Sequence, residues 1–191
     1  MTNRKEILHP IISDYIDKRL FIVVYGPPRT GKTHLAFSIA RYLLSNNIKV
    51  GIIATEASTF TFARNIEHNI EVYLCITKEQ LVKKVIDFII ENRYIVLDSI
   101  NWLFRSFDDE TSQKELSFIS SLMGTYGGFA TGQVSEIEDT YKMSMDSWIL
   151  PWANVIGAAK KLNNNLVELK IERPKEVIMK YKITRDGVDW I

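Results

Sequence analysis

Hydrophobic positions follow two different periods along this chain. A short unbroken apolar run at Phe21–Tyr25 reads as a strand buried on both faces of a parallel sheet, and the mostly apolar stretches 48–54, 70–75 and 95–98 read as further strands. Between them, apolar residues recur every three to four positions. One such stripe is Leu35, Ala36, Ile39, Ala40, Leu43 and Leu44; another is Leu81, Val85, Phe88 and Ile89; a third, in a helix over 111–123, is Leu116, Ile119 and Leu122. Phe60, Phe62 and Ile66 pin a short helix within 58–69, and Thr77 with Gln80 reads as the capping box that opens the second striped helix. A fifth strand, 127–134, is rich in small residues and ends on Gln133, with a loop expected over 135–146. Ahead of the first strand, Ile7, Ile11, Ile12, Tyr15 and Ile16 outline a lead-in helix within 1–19. Strand and helix alternating in this way predict an α/β layer fold with a mostly parallel central sheet.

After residue 153 the pattern changes. Segments 153–162, 165–172, 176–184 and 188–191 alternate apolar and polar residues, broken by Asn163-Asn164-Asn165, by Pro174 and by Asp186-Gly187. These read as antiparallel β-hairpins that extend the sheet at one edge. The whole is expected to form one domain over 1–191: a lead-in helix at 1–19, a core at 20–134 and C-terminal hairpins at 153–191.

The first strand runs directly into Gly26-Pro27-Pro28-Arg29-Thr30-Gly31-Lys32-Thr33, which fits G-x-x-x-x-G-K-[ST] at every fixed position, and then into the first striped helix at His34. Glycines let the backbone bend so that its N–H groups meet phosphate oxygens, and the positive end of the following helix faces the same anion. Lys32 is placed to reach the β- and γ-phosphates, and the Thr33 hydroxyl to ligate Mg²⁺. Strand, loop and helix agree, so a nucleoside triphosphate, ATP with Mg²⁺, is the expected ligand, and residues 26–34 its binding segment.

Two strand ends carry acids. The fourth run closes on Asp98, the pattern that supplies the carboxylate standing behind the inner ligands of a P-loop Mg²⁺, at the end of a strand beside the P-loop. The second closes on Thr55-Glu56, at the sheet edge where doubly wound folds bind ligands. From the residues alone, Glu56 reads equally as the group that polarises an attacking water or as a solvated acid at a helix start. Gln133, on spacing alone, reads as a polar residue closing a strand.

Composition adds limits. At 191 residues and 46% hydrophobic, the chain can bury a substantial core. A net charge of +1 gives no overall pull toward nucleic acid or membrane. The single cysteine, Cys75, sits in an apolar run and reads as a buried structural thiol. No apolar run reaches the roughly 18–20 residues of a membrane span and no signal peptide is evident, so a cytoplasmic location is expected.

In order, the P-loop, TE at a strand end, LDS with a downstream Phe104-Arg105, a GQV strand end and terminal hairpins resemble the ATPase core of the RecA/RadA recombinase family, closest to archaeal RadA and its core-only paralogs. The resemblance implies a RecA-like P-loop fold, with Glu56 as the catalytic glutamate, Asp98-Ser99 at the Walker B position and Gln133 as the link between γ-phosphate and the second DNA-binding loop. It also implies that Arg64, in Phe60-Thr61-Phe62-Ala63-Arg64, lies against the adenine. Function in DNA recombination or repair, binding of single-stranded DNA, and association with a RadA-type recombinase or with itself are its further implications.

Departures qualify it. Residues 1–19 read as a lead-in helix and are not expected to form the helical N-terminal DNA-binding domain and polymerisation motif that full recombinases place before the core. Where that family keeps its DNA-binding loops, 106–147 holds Asp108, Asp109, Glu110, Glu115, Glu136, Glu138, Asp139 and Asp146 against only Lys114 and Lys142. That balance opposes phosphate, although Trp102, Phe107, Tyr126 and Tyr141 supply stacking surfaces. The bases of the C-terminal hairpins read either as solvated edge charges or as a phosphate-binding face. An AAA+ ATPase would place an acid where Ser99 stands, and a nucleotide kinase would carry an Arg-rich lid. A KaiC-like regulatory ATPase, or a nucleotide-dependent partner-binding subunit with little turnover, remains an open alternative.

Overall fold

A computed structural model describes residues 8–66, 70–105, 109–137 and 140–191. Its strands are β1 (Phe21–Tyr25), β2 (Val50–Ala54), β3 (Val72–Leu74), β4 (Tyr94–Asp98), β5 (Gly128–Gly132), β6 (Val134–Ile137), β7 (Thr140–Met143), β8 (Val155–Lys161), β9 (Leu166–Arg173), β10 (Val177–Ile183) and β11 (Val188–Trp190). The helices are α1 (Pro10–Asp17), α2 (Lys32–Ser45), α3 (Ala57–Ile66), α4 (Lys78–Ile90), α5 (Glu110–Tyr126) and α6 (Asp146–Ile149). Nine strands form one sheet in the order β11-β10-β9-β8-β1-β5-β4-β2-β3, parallel from β8 to β3, with β9, β10 and β11 antiparallel at one edge.

The doubly buried strands arise from their unbroken apolar runs. In β1, Ile22 and Val24 pack toward α1 and α2, while Phe21 and Val23 pack toward α4 and α5, all of them fully buried. The central β5 has glycine at both ends because its neighbours leave no room there: a Cβ on Gly128 would stand 2.7 Å from Met123 Cε, and one on Gly132 2.6 Å from Met143 Cε. Helix α4 opens on Thr77, whose side chain accepts from Gln80 N, although the Gln80 side chain caps Ile76 N at 2.9 Å instead of closing the box on Thr77. Cys75 is buried, as its apolar surroundings imply.

Three expectations need correcting. The segment expected as the first antiparallel edge strand, β8, runs parallel to β1, with Ile22 opposite Val155 and Tyr25 opposite Ala158. Its first half is core and its last two lysines overrun the core into a hairpin with β9, which mimics an alternating pattern. Second, β5 stops at Gly132, and the region expected as a loop holds the antiparallel pair β6–β7. Third, Leu44 is 36% exposed, and α2 instead buries Phe37 and Ser38, where Ser38 Oγ accepts from Val188 N at 3.0 Å as β11 docks on the helix flank. Ile7, in the lead-in stripe, lies outside the described residues.

Candidate functional site

The turn after β1 is fixed by its own polar groups. Thr30, almost fully buried, donates from Oγ1 to Pro27 O at 2.9 Å, and its carbonyl accepts from Tyr181 Oη at 2.7 Å. Strand β10 therefore braces the loop from behind. Gly31 caps α2 at φ 71°, and a Cβ there would meet Ile183 Cγ1 at 2.7 Å, so both conformation and space require glycine. Arg29, at φ 65°, adopts a left-handed conformation that a non-glycine residue takes at a cost of order 1 kcal/mol, a strain of the kind that functional loops store. The result is a helix N-terminus facing a cavity of about 830 Å³.

Lys32 leans back along this loop, Nζ donating to Gly26 O at 2.7 Å and Pro27 O at 2.8 Å. Burial pushes its pKa down to about 8, against the opposing pull of Asp98 and Glu56. Below that pH the ammonium is charged in folded and unfolded chains alike, and folding bears the whole cost of burying it. Between about 8 and the ordinary 10.5, the unfolded chain holds a proton that the folded chain has shed, so this group makes stability rise with pH. A polyphosphate beside Nζ restores the charge. Nucleotide binding at about pH 9 is therefore expected to take up a proton. Calorimetry in buffers of different ionisation heat reads this directly: uptake in the wild type, none in Lys32→Met. Heats independent of buffer in the wild type would refute it.

At the end of β4, Asp98 is buried and receives three hydroxyls. Thr33 and Thr59 each donate to Oδ2 at 2.8 Å, and Thr131 donates to Oδ1. The donors come from α2, α3 and β5, three elements that only the fold brings together. One hydroxyl and one carboxylate suit an ion that keeps most of its water and takes its other ligands from phosphate, as Mg²⁺ does. Among the described residues no cluster of three His, Cys, Asp or Glu side chains offers a self-sufficient metal site.

The neighbouring strand end positions the second acid. Thr55 bonds both ways with Ser99, Oγ1 donating to the carbonyl at 2.8 Å and accepting from the amide at 2.9 Å, which locks the ends of β2 and β4 together. Glu56 follows at once, and its Oε1 accepts from Gln133 Nε2 at 2.7 Å and Ser99 Oγ at 3.3 Å. Lys32, Thr33, Glu56, Asp98 and Gln133 thus line one cavity.

Other expected residues divide. His34 lines the cavity, its ring edge-on to Phe62 at 4.6 Å, with burial lowering its pKa. Arg64 does not reach it: near the end of α3 it is exposed, and Phe62 two positions earlier lines the wall instead. Pro27 contributes its carbonyl to Lys32 and Thr30 and is not part of the lining. Sequence reading missed Thr59, Thr131 and Asn164, and it did not assign Trp102, Arg105 or Lys161 to this site; all six line the cavity. A threonine inside an otherwise small and apolar central strand was the one available signal, at Thr131. Toward solvent, three lysines of the C-terminal sheet are matched to acids across strands, with Lys160 and Lys180 both opposite Glu168 and Lys182 opposite Asp189.

The fold and this loop define a RecA-like α/β protein with P-loop architecture. Three solved structures are similar over most of this chain. One, an ATPase domain, aligns with TM-score 0.63 at 14% identity, covering 91% of this chain and 84% of that one. A DnaB-like replicative helicase, solved with regard to its interactions with primase, aligns with TM-score 0.63 at 13% identity over 89% of this chain and 57% of that one. The RadB recombinase aligns with TM-score 0.64 at 17% identity over 90% of each. Residues 20–107 match the family described as chromatin associated protein KTI12. No curated protein sequence matches the chain. No helix among the described residues is long and apolar enough to cross a membrane.

Proposed function

We propose that this chain binds ATP with Mg²⁺ and hydrolyses it slowly to ADP and phosphate. One observation carries the proposal: the P-loop lysine, the Thr33–Asp98 pair and the Glu56–Gln133 pair converge on a single cavity. The amides at the start of α2 and the Lys32 ammonium hold the phosphates and stabilise charge developing on the oxygen that leaves with ADP. Thr33 and Asp98 would hold Mg²⁺, which neutralises phosphate charge when bound. Glu56, anchored through Oε1, keeps Oε2 to orient a water and accept its proton as the water oxygen bonds to the γ-phosphorus and the bond to the bridging oxygen breaks. The proton then passes to the released phosphate.

In this reading the protein is a recombinase paralog of the RadA type that modulates DNA recombination or repair, binding single-stranded DNA and associating with a recombinase or with itself. Its likeness to the RadB recombinase over 90% of both chains supports that role. A second reading, a regulatory ATPase or partner-binding subunit with no DNA role, draws on the match of 20–107 to the chromatin associated protein family and on how the charges of 109–146 are engaged. There Lys142 is paired with Asp146 at 3.3 Å, Asp109 caps α5 by accepting from Ser112 N, and Glu115 faces Lys78 at 3.6 Å, while Trp102 is turned to the nucleotide cavity. Phe107, Asp108, Glu138 and Asp139 lie outside the described residues. Phosphate release measured with and without single-stranded DNA separates the two. Stimulation is expected for the paralog, indifference for the regulator, and no release in either condition would remove hydrolysis from both.

A further inference from the structure

The carboxamide of Gln133 stands between a group that only accepts hydrogen bonds and one that only donates them. Its Nε2 donates to Glu56 Oε1 at 2.7 Å, and its Oε1 accepts from Arg105 Nη1. A guanidinium has five donors and no acceptor, and a carboxylate offers acceptors alone, so a single amide orientation satisfies both neighbours. Donation from a cation into Oε1 also polarises the amide and strengthens its N–H as a donor to Glu56.

The backbone leaves this as the remaining freedom. Asn101, fully buried, brackets the main chain of Gln133, with Nδ2 donating to its carbonyl and Oδ1 accepting from its amide, each at 2.9 Å. The same Nδ2 reaches Ser144 O at 2.9 Å, just past β7. With main chain fixed on both sides, whether the Gln133 side chain stays extended toward Glu56 depends on what holds its far end. That is Arg105, immediately after the single helical turn Trp102–Phe104 and at the rim of the cavity.

We propose that Arg105 is a positioning residue for hydrolysis: it holds the Gln133 amide, and through it aims Glu56, without itself binding the nucleotide. This rests on the hydrolytic reading of Glu56. The test uses Arg105→Met and Arg105→Lys in the wild-type and Gln133→Ala backgrounds. In Arg105→Met, kcat is expected to fall roughly 10-fold, with KM and the affinity for a fluorescent ATP analogue unchanged within about twofold. Arg105→Lys should recover part of the rate, since an ammonium also donates. In the Gln133→Ala background, Arg105→Met should cost nothing further, the mark of one connected unit.

Turnover that Lys32→Ala abolishes is the control for the underlying reading. Its absence from the wild type would strike the hydrolytic reading alone, because the relay is also read by NMR without turnover. The side-chain amide protons of Gln133 in ¹⁵N-labelled protein are expected to exchange slowly with solvent in the wild type and fast in Arg105→Met. Equal exchange in both would overturn the proposal. So would affinity that falls with the rate and additive losses in the double variant, which would make Arg105 a phosphate ligand.

Discussion

Lys32→Ala is expected to lose turnover by roughly 100- to 1000-fold and to weaken nucleotide affinity by about 10- to 100-fold, the scale of removing one charge-assisted contact to an anion in a water-poor site. The same substitution should barely change the melting temperature of the free protein. Burial pushes the Lys32 pKa down to about 8, so at neutral pH the folded chain carries an unfavourable charge there, and deleting it offsets the loss of the bonds to the Gly26 and Pro27 carbonyls. What should vanish is the rise in melting temperature that ATP gives the wild type, since a ligand stabilises only in proportion to its binding to the folded state. The pairing is diagnostic. A residue kept for structure would lower the unliganded melting temperature, whereas a residue kept for the ligand lowers only the liganded one. Calorimetric melts of the two proteins with and without ATP decide the matter, and undiminished hydrolysis by the variant would remove the P-loop from its role.

How much of this site a sequence can disclose depends on how far apart its parts lie along the chain. The P-loop is legible because strand, turn and helix start fall within one continuous stretch, and each constraint is local: the apolar run of β1, the φ of Gly31, the stripe of α2. Glu56 and Asp98 were visible as acids closing apolar runs, but their convergence required β2 and β4 to be neighbours, with Ala54 opposite Asp98, a fact of sheet order. Thr59 had no such signal, Thr131 only its place in a small apolar strand, and Arg105 only its place in the Phe104-Arg105 pair. Each is an ordinary polar residue until register carries it to a carboxylate or amide from another element. Sheet order was misread on one flank of β1, where β8 alternates because half of it leaves the core. The place of β5 between β1 and β4 is a fact of register that no local pattern states. The C-terminal strands looked like a basic appendage, yet most of their contribution to the site is structural: Tyr181 bonds the loop through its hydroxyl and Ile183 packs against Gly31, while Lys161 alone of their lysines lines the cavity.

Glu56→Gln is the substitution expected to separate binding from chemistry most cleanly. Glutamine is isosteric, and its amide oxygen can still accept from Gln133 Nε2, so the contact at 2.7 Å survives while the charge and the proton acceptor are lost. Affinity for ATP should stay within a few-fold of wild type or rise slightly, because an anion is removed from beside the γ-phosphate. Single-turnover hydrolysis should slow by roughly 100- to 10,000-fold, the usual contribution of a positioned general base. Melting temperature should hold, as Glu56 is only partly buried and its neighbours remain satisfied. Glu56→Asp offers the complementary loss: it keeps the charge but shortens the side chain by a methylene, drawing the carboxylate away from Gln133, so it too should slow hydrolysis despite retaining a base. If the reaction needs the charge alone, Asp will outperform Gln by a wide margin. If it needs the carboxylate held in one orientation, both will fail together. A loss of less than about 10-fold in Glu56→Gln would mean that another group takes the proton, and would shift the catalytic role away from the end of β2.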